Sequence, residues 1–326
     1  MLALLAMKPI FLFLLLLSLP ACQAIQETAG KTDGSPITNG NPLSFEVTQS
    51  ISLVNEGQTK PEKQYIWVAL ISDHSPYQEI QSREIQPANH VIVTDEYGNQ
   101  YAEFDFKGLE PDQRVDININ YEVTTKQLTY DLEECHGDLP DEYNQPELHI
   151  ESNNPQIAAL AEELTTAKQT VCEQVKAFYD YIGNNLVYSY NGEDWGAQAA
   201  LGKMGADCTE YSSLLIALSR ANGIPARYIE GLLVLDDNST EARQEHAWVE
   251  VYFPGTGWVP IDPTLGRSSL TREQHFARYT PNHIAVTYGR NPSTLRGASY
   301  YSHLYWPGTG PDIQVQNTHW EITARQ

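Results

Sequence analysis

The stretch from Gly205 to Arg227 constrains the fold of this chain more than any other part of the sequence. Asp207 is a favoured N-cap residue, and the sequence Gly223-Ile224-Pro225 is a strong helix stop. Between them, apolar residues recur at the three- and four-residue spacing of one helix face, at Tyr211, Leu214, Leu215, Leu218 and Ala221. The pattern predicts a helix that packs into a core, with Cys208 in its first turn.

Cys208 is a nucleophile candidate because of this position. The free backbone N–H groups at a helix start favour negative charge, so a thiol there is shifted toward thiolate. A lone cysteine in a core is nevertheless more often structural than reactive. A catalytic role for Cys208 therefore requires a base elsewhere in the chain.

Two later segments supply a base and a group to orient it. His246 begins a segment that alternates like a strand up to Tyr252, and Asp262 ends a second such segment after a Pro-Gly turn. Alone, His246 could be a strand histidine bonded to the backbone, and Asp262 could be a turn residue before Pro263. Together with Cys208 they form the three parts of an activated-thiol triad in a plausible frame.

From about Ile157 to Thr264 the chain resembles the transglutaminase-like core of the papain-like cysteine enzymes. Four pieces carry the resemblance, in the family's order: Gly205-Ala206-Asp207-Cys208, Ala221-Asn222-Gly223-Ile224-Pro225-Ala226-Arg227, His246-Ala247-Trp248-Val249-Glu250-Val251-Tyr252 and Trp258-Val259-Pro260-Ile261-Asp262-Pro263. The resemblance implies an α+β fold in which a helix-start cysteine packs on an antiparallel sheet. It also implies a catalytic triad of Cys208, His246 and Asp262.

A triad of this kind predicts thiol-dependent acyl transfer on amide bonds through a thioester. With an amine as acceptor the enzyme crosslinks glutamine side chains, and with water it deamidates them or hydrolyses a peptide. The sequence leaves both acceptors open. The alternative is a catalytically silent envelope protein that binds peptide or glycan, and the intact set of Cys208, His246 and Asp262 argues against it.

Short alternating segments separated by turns predict a β-sandwich over residues 43–130, with an immunoglobulin-like topology as in bacterial relatives. Its histidines, His74 and His90, have no ligand spacing and are interpreted as solvated. Residues 131–153 are interpreted as a domain crossing. Residues 154–326 are predicted to form the catalytic domain, whose last strands extend the catalytic sheet.

The N-terminus is predicted to be a lipoprotein signal peptide, residues 1–22. A short apolar run ends in Leu19-Pro20-Ala21-Cys22, which resembles a lipobox in which Cys22 carries the lipid. An ordinary cleaved signal peptide is the alternative. Residues 23–42 are polar and are predicted to be a flexible tether. The expected location is the bacterial cell envelope, with the protein anchored to the membrane by lipid.

Charge and motif content limit the partners. The chain has 42 acidic and 20 basic residues and a formal net charge of −22, which disfavours nucleic acid. The sequence has no HExxH motif, no paired Cys-x-x-Cys and no phosphate loop, so no metal or cofactor is expected. The expected partner is a protein or peptide substrate, with cell-wall peptide as one candidate.

Four further residues have candidate roles. The indole N–H of Trp195 could join the Cys208 backbone N–H in an oxyanion hole, with packing as the alternative. Trp248 is expected to alternate away from His246 and to pack. In an exported protein, Cys135 and Cys172 are candidates for a disulfide, and two separate buried thiols are the alternative.

Overall fold

The computed structural model describes residues 36–132, 135–190, 196–201, 205–234, 245–293, 303–306 and 313–325. In these ranges six strands come first, at Ile37–Asn55 (β1), Tyr65–Ala69 (β2), Gln78–Gln86 (β3), Val91–Thr94 (β4), Gln100–Asp105 (β5) and Arg114–Thr129 (β6). Four α-helices follow, at Pro155–Thr165 (α1), Val171–Asn185 (α2), Gly196–Leu201 (α3) and Cys208–Ala221 (α4). The remaining strands are Ala226–Leu233 (β7), Glu245–Phe253 (β8), Gly257–Ile261 (β9), Arg278–Tyr279 (β10), His283–Tyr288 (β11), His303–Trp306 (β12) and Ile313–Arg325 (β13).

Two antiparallel sheets form the N-terminal half around one core. The first has the order β10-β6-β1-β13, with β3 also paired to β6, and the second has the order β12-β2-β5-β4. Both contribute to one cluster of buried side chains, which includes Phe45, Val68, Phe104 and Ile119. Alternation puts every second residue of a strand into this core, because side chains point to opposite faces in turn. The immunoglobulin-like topology itself remains a prediction.

The other half is built on α4 and the antiparallel sheet β11-β7-β8-β9. Asp207 caps α4, and Glu210 bonds back to the Asp207 N–H over 3.0 Å, which completes a capping box. The apolar residues of α4 are buried against one face of this sheet, together with Val249 and Val251 of β8. Helices α1 and α2, capped by Asn154 and Thr170, pack against α4. The cap fixes where α4 begins and so where Cys208 lies.

The end of the chain corrects two predictions. The segment around Leu304 was expected to extend the catalytic sheet, but β12 pairs with β2. Residues 313–315 and 320–322 were expected to form a further pair of strands, but they belong to one strand, β13, which pairs with β1. Ile313, Trp320 and Ile322 are buried in the N-terminal core. Alternation identifies a strand but does not specify its partner, since the same face fits any apolar sheet.

Two other expectations about the N-terminal half also change. Strand β1 begins at Ile37, inside the predicted tether of residues 23–42, and its first residues pair with the end of β6. Strand β3 was not predicted because its sequence, QEIQSREIQ, is mostly polar. Pairing with β6 holds β3 in place with little apolar burial.

The structure joins Cys135 and Cys172 in a disulfide, with their Cα atoms 5.7 Å apart. The bridge links the irregular crossing segment to the start of α2 and closes 37 residues of chain. By the chain-entropy model a loop of this size contributes roughly 4 kcal/mol to the free energy of unfolding. Among the described residues, no helix is long and apolar enough to cross a lipid bilayer.

Candidate active site

Cys208 is the first residue of α4 and is half-buried. Asp207 holds the first turn, since its Oδ1 accepts from the Thr209 N–H at 3.0 Å and from the Thr209 hydroxyl at 2.9 Å. An amide at the first helical position has no acceptor within the helix. The Cys208 thiol therefore lies at the end of α4 where the backbone N–H groups have no acceptor within the helix.

The strand pair β8 and β9 brings the predicted base and its partner together. His246 is the second residue of β8, and Asp262 directly follows β9, its antiparallel neighbour. His246 Nε2 lies 2.7 Å from Asp262 Oδ2, and both side chains are buried. Cys208 is near enough to His246 to contribute to the raised pKa of its imidazole. Because Nε2 is engaged by Asp262, Nδ1 is the ring nitrogen left for the sulfur.

Both carboxylate oxygens of Asp262 are held by hydrogen bonds. Oδ1 accepts from the backbone N–H groups of Thr264 at 2.9 Å and Leu265 at 2.8 Å. Oδ2 interacts with His246 and, at 3.1 Å, with Nε2 of a second histidine, His283. Four interactions define the position of this carboxylate, so the imidazole of His246 has one preferred orientation.

The charges of the pair follow from this geometry. Burial alone would lower the pKa of His246, but the carboxylate of Asp262 and the hydrogen bonds to Asp262 and Cys208 raise it to about 10. Burial would likewise raise the pKa of Asp262, but the two histidines hold it well below its usual range. At neutral pH the site therefore contains an imidazolium and a carboxylate.

His283, at the start of β11, is a site residue that sequence reasoning missed. Burial lowers the pKa of His283, and the charge of His246 lowers it further, so His283 is the neutral partner. Its Nδ1 lies 2.7 Å from Thr280 Oγ1. One sequence signal marks His283, which is its position at the start of a predicted strand, like that of His246. Its contact with Asp262, 21 residues away, needs the β11–β7 pairing.

Trp248 corrects a prediction. Residues i and i+2 of a strand lie on the same face, so the indole does not point away from His246. The two rings stack with centroids 6.0 Å apart, and the Trp248 side chain is 1% exposed. Opposite them on β7 is Gly231, where an added Cβ would come within 2.6 Å of the Trp248 ring. A glycine at this position leaves room for the ring that supports the imidazole.

The same face of β8 continues to Glu250, which is buried and makes three polar contacts. Arg227 Nε donates to it over 2.7 Å, the Tyr279 hydroxyl donates over 2.6 Å, and His74 Nε2 lies 3.1 Å away. His74 comes from the N-terminal half and was expected to be solvated, so this contact corrects that interpretation. Burial would raise the pKa of Glu250, but Arg227 and the other contacts hold it at about 2.

Among the described residues, one cluster of three side chains has ligand atoms close enough together to hold a metal ion. The ligand atoms of His246, Asp262 and His283 lie within 4.8 Å of one another. The distances from Oδ2 to both Nε2 atoms are hydrogen-bond distances, so N–H protons occupy the space between them. The three side chains are therefore arranged as hydrogen-bond partners of one another.

Other predicted residues are not brought to the site. Cys135 and Cys172 are bonded to each other, which leaves Cys208 as a free thiol. Trp195 and Cys22 lie outside the described residues. Their oxyanion and lipidation roles remain predictions.

The stabilisation from His246 should fall as pH rises from about 6.5 to about 10. The folded pKa is above the unfolded value, so this contribution is complete below pH 6.5 and is lost through pH 10. The lowered pKa of Asp262 keeps the carboxylate charged over the whole range. Urea unfolding should give a stability difference between wild type and His246→Gln that shrinks by more than about 1 kcal/mol over this interval. A difference that does not change with pH would contradict the charged pair.

A thiol at the start of a core helix, facing a buried His–Asp pair on an antiparallel sheet, is the arrangement of a papain-like cysteine enzyme core. Residues 158–263 match the family model of the transglutaminase-like superfamily. This segment belongs to that superfamily, and the predicted transglutaminase-like core is confirmed.

Two relatives support the assignment by sequence. The uncharacterized protein YebA of Bacillus subtilis is 31% identical over 173 residues, which cover 45% of this chain and 23% of YebA. The protein-glutamine gamma-glutamyltransferase of Pseudomonas aeruginosa is 29% identical over 123 residues, which cover 34% of this chain and 18% of that enzyme. The chain therefore spans less than a quarter of the length of either relative.

A solved structure supports the fold over a longer range. A candidate cysteine protease from Cytophaga hutchinsonii superposes with a TM-score of 0.62 at 19% identity, covering 88% of this chain and 92% of that one. A match of this extent includes sheets from the N-terminal half as well as the core. At this level of identity the likeness concerns the fold alone.

Proposed function

We propose that this protein is a thiol-dependent enzyme that transfers acyl groups from amide bonds, with Cys208 as nucleophile, His246 as acid and base, and Asp262 as the residue that orients His246. The supporting observation is a half-buried thiol at a helix start, near a buried His–Asp pair whose imidazole has a raised pKa. A strongly shifted histidine pKa next to a free thiol is typical of a catalytic site.

In the proposed reaction, the Cys208 sulfur attacks the carbonyl carbon of an amide and forms a C–S bond. The backbone N–H of Cys208 stabilises the oxyanion, and Trp195 is the candidate second donor. The C–N bond then breaks, His246 gives its proton to the departing nitrogen, and a thioester remains. An acceptor attacks the thioester, His246 takes the acceptor's proton, and the C–S bond breaks to restore the thiolate.

The acceptor decides the product. An amine gives an isopeptide crosslink, and water gives deamidation or peptide hydrolysis. The similar proteins are described as a protein-glutamine gamma-glutamyltransferase and as a candidate cysteine protease, which correspond to these two outcomes. The proposed substrate is a protein or peptide, with cell-wall peptide as one candidate.

The test is intact-mass analysis after iodoacetamide treatment at pH 6, below the range in which an ordinary thiol with a pKa of about 8.5 reacts quickly. Wild type should gain one adduct, and Cys208→Ala should gain none. Wild type should also label a glutamine peptide with an amine or cleave a peptide, and Cys208→Ala should do neither. Slow alkylation that follows an unperturbed thiol, with no change in His246→Ala, would reject the triad.

We further propose that the protein is held in the bacterial cell envelope by lipid on Cys22. The supporting observation is the apolar run that ends at Leu19-Pro20-Ala21-Cys22. Cys22→Ser should move the protein from the membrane fraction to the soluble periplasmic fraction. If fractionation of the two proteins is the same, lipid on Cys22 is not the anchor.

A further inference from the structure

Two described segments border the Cys208 thiol on the outside of the core. Residues 186–190 leave α2 and run past the start of α4, where the Ser189 N–H donates to the Ala206 carbonyl over 2.8 Å and Tyr188 forms an isolated parallel bridge with Ala206. The second segment is the turn after Asp262, which includes Arg267. The two segments meet where the Arg267 guanidinium lies over the Tyr188 ring, 4.8 Å from its centroid.

Arg267 is exposed and held in place at this border. Its Nη1 donates to the Thr264 carbonyl over 2.7 Å, and that carbonyl lies two residues after Asp262. Among the described residues, no carboxylate forms an ion pair with Arg267, although acidic residues outnumber basic ones by 42 to 20 in the whole chain. An anchored guanidinium without an internal acid can accept a carboxylate from outside in a bidentate geometry.

The electrostatics connect Arg267 to the reacting group through Tyr188. Burial raises the pKa of the Tyr188 hydroxyl, the negative charges of Cys208 and Asp207 raise it further, and Arg267 lowers it. Tyr188 is therefore within electrostatic range of both the sulfur and the guanidinium. Arg267 also lowers the pKa of Tyr211 in α4, although burial raises it overall.

Large apolar side chains flank this position and are open to solvent. Val187 and Tyr190 are each 79% exposed, and Leu270 is 91% exposed. Apolar residues exposed next to a nucleophile can cover the backbone of a bound peptide. Both segments that border the thiol therefore also carry exposed apolar side chains close in sequence to Tyr188 and Arg267.

We propose that Arg267 and Tyr188 form a subsite that binds a carboxylate of the acyl donor, next to the amide that Cys208 attacks. This inference rests on the proposed function and names its substrate class, an acidic peptide. The carboxylate can belong to an Asp or Glu side chain of the donor or to its free C-terminus, and both present the same group to Arg267. The net charge of −22 repels an acidic donor at long range, so the attraction must come from the local cation, Arg267.

The first test compares two alkylating reagents of nearly the same size, iodoacetate and iodoacetamide, which differ by a carboxylate. In Arg267→Gln the ratio of the iodoacetate rate to the iodoacetamide rate should fall about fivefold relative to wild type at low salt, the range of one exposed charge pair. The difference should shrink at high salt. Arg267→Lys should retain most of the ratio, and Arg83→Gln, which removes an equal charge from β3, should leave it unchanged.

An unchanged ratio in Arg267→Gln would overturn the proposal. An equal fall in both rates would also overturn it, because it would mean that Arg267 only holds the turn beside Asp262. These outcomes differ from failure of the proposed function, in which Cys208 of wild type reacts with neither reagent at pH 6.

If Cys208 reacts with neither reagent, the subsite can still be tested by a binding measurement, because binding needs no reactive thiol. In Cys208→Ala, NMR titration should show that a glutamine peptide with a neighbouring Glu or a free C-terminus binds about fivefold more tightly than the matched peptide with Gln and a C-terminal amide. Separate Glu and free-acid peptides distinguish the two sources of the carboxylate. Adding Arg267→Gln should abolish the preference, and equal binding of all peptides to Cys208→Ala would reject the subsite.

Discussion

Replacing Asp262 with asparagine should lower kcat/KM for acyl transfer by about a thousandfold or more, the size of effect seen when the orienting acid of a triad is lost. Oδ2 of Asp262 faces the Nε2 atoms of His246 and His283, and Oδ1 faces two backbone N–H groups. An asparagine must point its NH2 group at one of these pairs of donors. Either orientation breaks two hydrogen bonds and removes the charge that keeps the His246 pKa high.

The measurements are kcat/KM and the pH dependence of iodoacetamide alkylation of Cys208. In Asp262→Asn the fast alkylation at low pH should disappear, because a neutral His246 no longer supports the thiolate. The matched control is Asp116→Asn, which removes an exposed carboxylate from β6 and should leave both quantities unchanged. Activity within tenfold of wild type in Asp262→Asn would mean that His246 is oriented by other groups.

Replacing Glu250 with alanine should lower the free energy of unfolding by about 3 kcal/mol, because it leaves the largely buried guanidinium of Arg227 without its carboxylate partner. The Arg227 guanidinium lies 4.4 Å from the ring centroid of Trp258 and 4.9 Å from that of Tyr288, and it forms an ion pair with Glu250. Tyr279 and His74 would also lose their common acceptor. The loss affects the surface that joins the N-terminal half to the catalytic sheet.

Urea unfolding of the purified variants checks this expectation. Glu84→Ala, at an exposed position on β3, is the matched control and should change stability by less than about 0.5 kcal/mol. The double variant Glu250→Leu, Arg227→Met should recover much of the loss, since a buried ion pair can be replaced by apolar groups of similar size. A loss below about 1 kcal/mol in Glu250→Ala would show that Arg227 finds water or another acceptor.

The helix start, the strand pair and the order of Cys208, His246 and Asp262 were readable from the sequence because each depends on local spacing. The N-cap at Asp207 and the stop at Gly223 fix α4, and alternation fixes β8. The family assignment of this region followed from the same four pieces and is confirmed.

Residues that act through long-range pairing could not be found in this way. His283 reaches Asp262 only because β11 pairs with β7. His74 reaches Glu250 only because the N-terminal half packs on the catalytic sheet. Neither lies in a spacing pattern that predicts a partner. The position of β13 has the same cause, since its apolar residues are compatible with either sheet.

The pairing of β1 with β13 has a consequence for how the molecule is made. The strands that meet are separated by more than 250 residues of sequence, for example Val47 and Ile322. Contacts of such long range form slowly, because a large loop must close before they contribute free energy. The edge of β1 stays without this partner until β13 is available to pair with it. An unpaired edge of this length is a site for association with other chains, so the folding intermediate that lacks β13 should be the one most prone to aggregation and most dependent on chaperones.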